Sequence, residues 1–268
     1  MTVSTIVSKL RDLLKDRKLI PFVGAGLSMR FGLPSWNALV KTLGEDMGWD
    51  PAVFVSQGNA LQLAEFYVLK NSIGKLRSLM DKAFVVEDGK IQASRAHAAL
   101  TKLNVPQVYT TNYDTIIESS FRVHNVDHAV VTNIDGIASA RGAAVEIVKF
   151  HGSFEDDQSL VLTESSYFER MDFDQALDIK LRADTLGRAL LFLGYGFNDV
   201  NVRFLLYKLH KLRERGKRNT AAMPTAFMTT LQSNQVQRLV LENWGVETIE
   251  LDPKDPNASL DEFLEQLT

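Results

Sequence analysis

Four short segments carry residue types that could do chemistry. Phe22-Val23-Gly24-Ala25-Gly26-Leu27-Ser28 closes an apolar run with a Gly-x-Gly turn. Such a turn bends the backbone sharply and lets it approach a phosphate with no Cβ in the way. Its exposed N–H groups are anion donors, and Ser28 adds a hydroxyl. The usual dinucleotide fingerprint wants a third glycine three residues later, where Met29 stands. A purely structural glycine turn is the other reading. Tyr109-Thr110-Thr111-Asn112-Tyr113-Asp114 sets two hydroxyls, an amide and a carboxylate just after a second apolar run. These groups are costly to bury without partners. Either they line a site, or Asp114 caps the next helix and Asn112 closes a turn. Val148-Lys149-Phe150-His151-Gly152-Ser153 places a histidine and a glycine at the end of a third run. Leu193-Gly194-Tyr195-Gly196-Phe197-Asn198-Asp199 is a second glycine turn, with Asn198 or Asp199 able to cap a helix.

The elements that must position these residues follow from periodicity. Val3, Ile6, Val7, Leu10, Leu13 and Leu14 fall at helical spacing. Short apolar runs predict strands at 19–23, 107–110, 129–132, 145–150, 190–193, 225–228 and 247–251, with a further short one at 160–162. Helices are predicted at 59–70, 73–84, 175–186, 200–213 and 235–242, around Ile116 and Ile117, after the N-cap Ser35, and from Leu260 onward. Gly89 and Asp255-Pro256-Asn257 read as turns. Non-alternating strands separated by helices predict a parallel sheet covered on both faces. The stretch between the first two strands is too long for one crossover, so a helical insertion is expected at about 40–103 within a single domain, 1–268. In a parallel sheet all four segments end strands, and would converge on the carboxyl edge, where ligands bind. Only His151 shares that position; His97 reads as structural on a helix face, and His124 and His128 as turn or edge residues.

Composition narrows the possibilities. The chain has 268 residues, 45% hydrophobic and 24% charged, with a net charge of −3 and no cysteine. Absent cysteine excludes disulfides, thiolate zinc fingers, iron–sulfur clusters and cysteine nucleophiles. The acidic balance argues against a nucleic-acid surface. No run reaches the length of a membrane span and no signal-peptide core is visible, so a cytoplasmic location is expected. Lys208, Lys211, Arg213, Arg215, Lys217 and Arg218 form a basic segment that reads as a solvated helix end. Val202, Leu205, Leu206, Leu209 and Leu212 read as core or as an oligomer surface.

Taken as an ordered set, the motifs resemble the sirtuin-like NAD-consuming family, in the branch found in bacterial anti-phage defence. Gly24–Ser28 is similar to its phosphate-binding turn, and Gly32-Leu33-Pro34-Ser35-Trp36 to the segment after it. Thr110–Asp114 stands where sirtuin deacylases carry Gln-Asn-Ile-Asp, keeping the Asn and Asp positions. His151-Gly152 resembles the catalytic His-Gly pair, and Leu162-Thr163-Glu164 and Gly194–Asp199 resemble defence-type motifs. The resemblance implies a Rossmann-like α/β fold with NAD+ as substrate across the carboxyl edge. It implies pyrophosphate at Gly24, Ala25, Gly26 and Ser28, and adenosine ribose beside Gly194, Tyr195 and Asn198. Asn112, with Thr111 beside it, would position water or ribose hydroxyls. Asp114 would order the nicotinamide pocket, and His151 would be a base or a polar anchor.

With no cysteines, the four-cysteine zinc module of sirtuin deacylases has no counterpart here, and no metal is expected. Water then replaces an acyl-lysine acceptor, and the resemblance implies hydrolysis of NAD+ to nicotinamide and ADP-ribose by a regulated defence effector. A protein deacylase and a non-catalytic NAD+ or ADP-ribose sensor are the alternatives. Control is expected from homo-oligomerisation or from a separate regulatory protein of ATPase or nuclease type.

Overall fold

A computed structural model describes residues 3–172, 174–196, 200–215, 226–232 and 235–268. Seven strands form the sheet: β1 (Leu19–Val23), β2 (Gln107–Thr110), β3 (His128–Val131), β4 (Val145–Lys149), β5 (Ala189–Leu193), β6 (Ala226–Thr230) and β7 (Val246–Glu250). All pairs are parallel, in the order β3-β4-β2-β1-β5-β6-β7. The chain fills one side of β1 first, with β3 at the edge and β4 inserted between it and β2, then crosses to the other, so the order reverses at β1. That is the switch point where an open α/β sheet offers a crevice. Register sharpens this. Lys149 pairs with Thr110, Thr110 with Val23, and Val23 with Leu193. The last residues of four strands thus form one row, and the four chemical segments leave the sheet at one level.

Strand side chains alternate between two buried faces. Leu19, Val23, Val108, Ile147, Leu191 and Leu193 pack beneath α1 (Val3–Lys15), α8 (Arg95–Lys102), α9 (Ile116–Val123) and α15 (Pro256–Glu265). Ile20, Phe22, Tyr109, Val148, Leu190 and Phe192 face α12 (Ala176–Asp184), α13 (Val200–Arg215) and α14 (Gln235–Asn243). Val202, Leu205, Leu206 and Leu209 are core on α13, whereas Leu212 is exposed. In the basic segment Lys211 pairs with Glu214 and Lys208 lies over Phe204. Lys217, Arg218 and the side chains of Arg213 and Arg215 lie outside the described residues. His97 is buried on α8 with Nδ1 2.8 Å from Ser94 Oγ, a structural histidine as its helix face suggested.

Between β1 and β2 run α2 (Ala25–Ser28), α3 (Trp36–Asp46), α4 (Pro51–Val55), α5 (Ala60–Lys70), α6 (Ile73–Ala83), α7 (Asp88–Gln92) and α8. Ser35 caps α3 and Asn59 caps α5. A separate apolar cluster joins α3–α6 through Leu39, Leu43, Phe54, Tyr67 and Met80. It also takes in Phe154, Leu160 and Leu162, which corrects the strand expected at 160–162. That segment is an irregular stretch after a 3₁₀ turn at Asp157–Ser159, and its apolar residues plug the helical cluster instead of joining the sheet. The remaining helices are α10 (Ile134–Ser139) and α11 (Glu164–Met171). Two expected turns are corrected as well. Gly89 lies inside α7, and Asp255-Pro256-Asn257 opens α15, with Pro256 in the first helical turn and Asp255 accepting from Ala258 N–H. Proline's missing N–H costs nothing there. No described helix is long and apolar enough to cross a membrane.

Candidate functional site

The two glycine turns form one joint. Gly24 N–H donates to Leu193 carbonyl at 2.8 Å, and Gly26 N–H to Gly194 carbonyl at 2.9 Å. A Cβ on Gly194 would stand 2.6 Å from Leu27 N, and its φ of +72° lies in the left-handed region. Cβ atoms on Gly24 or Gly26 would stand 2.8 Å from Gly194. Close backbone approach between β1 and β5 therefore explains these glycines, and the N–H groups of Gly24 and Gly26 are already engaged.

Beside the joint opens a cavity of about 970 Å³, at the upper end of ordinary ligand pockets. Ala25, Gly26, Thr111, Gly194 and Tyr195 line one wall. The opposite wall contains Thr229, Thr230, Gln232, Glu250 and Asn257, none of which the motif reading singled out. The signal was available: Thr229, Thr230 and Glu250 end β6 and β7 on the same carboxyl edge.

The other expected residues do not line this cavity. Ser28, Asn112, Asp114 and His151 are all buried. Asn112 Nδ2 donates to Ser28 Oγ at 3.0 Å, and Ser28 also helps to hold down the pKa of the neighbouring Asp114 carboxylate. Ser28 accepts from the amide nitrogen, which fixes the amide's orientation. Asp114 accepts from Ile116 N–H at 3.0 Å, so it caps the start of α9. Burial pushes its carboxyl pKa up; the charge of Lys149 and the bonds from Ile116 and Ser28 oppose that.

Threonine and tyrosine hydroxyls connect Asn112 and the cavity. Asn112 N–H donates to Thr110 Oγ1, which donates to Val23 carbonyl at 2.8 Å. Tyr195 Oη donates to the same carbonyl at 2.9 Å and lies 2.9 Å from Thr111 Oγ1. Tyr195 thus occupies the border between the open cavity and the buried groups. Asn198 lies outside the described residues.

His151 sits among rings, with centroids of Tyr167 at 5.3 Å, Phe150 at 6.1 Å and Tyr113 at 6.4 Å. Burial, reinforced by the charge of Arg170, pushes its pKa down to about 3. The ring is neutral at physiological pH. Arg170 lies over the Phe150 ring at 4.1 Å, with Nη2 3.1 Å from Asp178 but misaligned for a hydrogen bond. Lys149, quoted in the third segment but given no role by it, is fully buried beneath the Asn112–Asp114 turn. Among the described residues no group of three or more His, Asp or Glu side chains could hold a metal.

The family model described as a SIR2-like domain matches residues 106–249, more than half of the chain. The chain belongs to the SIR2-like family. The SIR2-like match contains Asn112, Asp114, Lys149, His151, Gly194 and Tyr195, while the Gly24–Ser28 turn precedes it. The chain is 30% identical to a protein of Enterococcus faecium named NAD(+) hydrolase ThsA, over 77% of this chain and 43% of that protein. It is 29% identical to the Bacillus cereus (strain MSX-D12) protein of that name, over 78% and 43%. Defense-associated sirtuin 2 of Bacillus subtilis is 24% identical over 78% of this chain and 21% of its own length. The chain thus spans less than half the length of each of these relatives.

Proposed function

We propose that this SIR2-like chain hydrolyses NAD+ at the nicotinamide–ribose bond. Water adds at the ribose carbon as nicotinamide leaves, giving nicotinamide, ADP-ribose and a proton. The observation that carries the reading is the buried Asn112–Ser28 hydrogen bond with Asp114 next to it, beside a cavity of dinucleotide size at the sheet's switch point. The names of the relatives in Enterococcus faecium and Bacillus cereus point the same way.

Departure of nicotinamide leaves an oxocarbenium-like ribose, so rate depends on position and on a water-poor setting. The adenosine half lies in the open cavity with Gly194 and Tyr195 at its border, and the pyrophosphate crosses the wall at Ala25 and Gly26. The nicotinamide half passes Tyr195 and Thr111 into the buried region. There Asn112, whose amino group is tied to Ser28, presents its carbonyl oxygen to water or a ribose hydroxyl. Asp114 orders the nicotinamide side. A histidine with a pKa near 3 is a weak proton acceptor, so His151 acts as a hydrogen-bonding anchor for ribose hydroxyls rather than as a base.

The same reading makes about residues 40–103 a helical insertion within one domain and places the reaction in the cytoplasm as part of antiviral defence. It expects a homo-oligomer, or a separate ATPase- or nuclease-type protein, to control turnover. The test is nicotinamide release from NAD+ by the purified protein, with and without an acetylated peptide. Peptide-independent release with one ADP-ribose per nicotinamide is expected. Release only with peptide would make the chain a deacylase, and tight binding without release would make it a sensor.

A further inference from the structure

Lys149 ends β4 two residues before His151, and its side chain is 0% exposed. The ammonium donates to Tyr113 carbonyl at 3.1 Å, to Asp114 carbonyl at 2.6 Å and to Glu118 Oε1 at 2.6 Å. Three protons meet three acceptors, so the group is satisfied. Removing an ammonium from water is expensive, and a counter-ion alone is the simplest compensation. Here two of the three bonds go instead to main-chain carbonyls. The Tyr113 carbonyl belongs to the peptide before Asp114 and the Asp114 carbonyl to the peptide after it. Both planes that set the direction of the Asp114 side chain are therefore held by one atom. Asn112 stands immediately before this clamp, its own N–H held by Thr110.

We propose that Lys149 is a positioning residue: by clamping both peptide groups that flank Asp114, it holds the Asn112–Asp114 turn in the geometry that orients the nicotinamide end of NAD+. The inference rests on the NAD+-cleavage reading above. Electrostatics agree with it. Asp114 faces Lys149 from β4, Glu118 and the Ile116 N–H from α9, and Ser28 from α2, while Arg77, Asp81 and Glu155 line a pocket that reaches it. Lys149 is the cation among these that lowers the Asp114 pKa against burial. Without it the carboxyl pKa rises, and the acid limb of an activity profile that needs the carboxylate moves to higher pH.

Lys149→Met alone strands Glu118 without its counter-ion and costs stability whatever Lys149 does, so the informative variant is Lys149→Met combined with Glu118→Gln. Neutralising both partners should keep the melting temperature within about 4 °C of wild type. Nicotinamide release should nevertheless fall tenfold or more in kcat, on the order expected for a small misplacement, with KM for NAD+ changed less than about threefold. The acid limb should shift upward, and amide exchange should quicken at 111–116 while β1 and β5 stay protected. A folded double variant with wild-type kcat, pH profile and exchange would overturn the proposal and leave Lys149 a counter-ion. If wild type releases no nicotinamide, the cleavage reading fails by itself. Exchange at 111–116 then decides the clamp: faster exchange in the double variant supports it, and unchanged exchange overturns it.

Discussion

The β1/β5 joint and the β2/β4 turn lie side by side on one sheet edge but are built by opposite means. The joint is backbone on backbone: Gly24 and Gly26 touch Gly194, and their N–H groups bond across to β5. The β2/β4 turn is held by side chains, with Lys149 beneath it and Ser28 and Thr110 fixing Asn112. A backbone joint tolerates no added Cβ, yet supplies no titratable group. A side-chain scaffold can place an amide and a carboxylate, at the cost of burying them. In the proposed reading, substrate accommodation and bond cleavage fall to neighbouring regions with different vulnerabilities.

The largest effect should come from the side-chain region. Asn112→Ala should lower nicotinamide release by about 10²–10³-fold, the scale of losing a positioned polar group at a reacting centre. Its thermal unfolding should stay near wild type, because Lys149 and the Ile116 N–H still hold the turn. A smaller kinetic loss with a large drop in melting temperature would erase the contrast between the regions.

Next comes the joint. Gly194→Ala must place a Cβ against Leu27 N at a left-handed φ, which should destabilise the fold by about 2–3 kcal/mol. Denaturant titration would show it, accompanied by weaker NAD+ binding through displaced cavity walls. Wild-type stability would mean that the two turns separate easily and that the joint is not rigid.

The smallest contribution is acid sensitivity. His97 and His151 both have folded-state values of about 3, against 6.5 for a free side chain. Between those values the unfolded chain binds protons that the native chain refuses, so stability is full above pH 6.5 and falls as pH drops toward 3. Melting at pH 7.5, 6 and 5 for wild type and for His97→Gln should show a shallower slope in the variant. Parallel slopes would show that His97 takes up a proton in the folded chain.

Much of this arrangement was legible in the sequence. Apolar runs ending in Gly24, Thr110, Phe150 and Gly194 mark strand ends, and parallel topology brings them to one edge; the register of Lys149, Thr110, Val23 and Leu193 bears that out. The run Leu160–Leu162 misled because an apolar triplet that fills a helical cluster has the same pattern as a short strand. Asp255-Pro256-Asn257 misled because cap residues are also turn residues. The Gly24–Gly194 contact joins residues far apart in the chain, and neither turn names its partner. Lys149 was hidden for a related reason. A lysine at a strand end ordinarily reaches solvent, and only the packing of the turn between β2 and α9 against β4 places Glu118 and two carbonyls around it.

One NAD+ molecule spanning both regions is the central claim, and a crystal structure of Asn112→Ala with NAD+ tests it most directly. The pyrophosphate should lie against Ala25 and Gly26, the adenosine in the cavity bordered by Gly194, and the nicotinamide ribose within hydrogen-bond distance of His151. A dinucleotide lying wholly inside the open cavity, with the Tyr195–Thr111 contact intact and His151 untouched, would contradict the account.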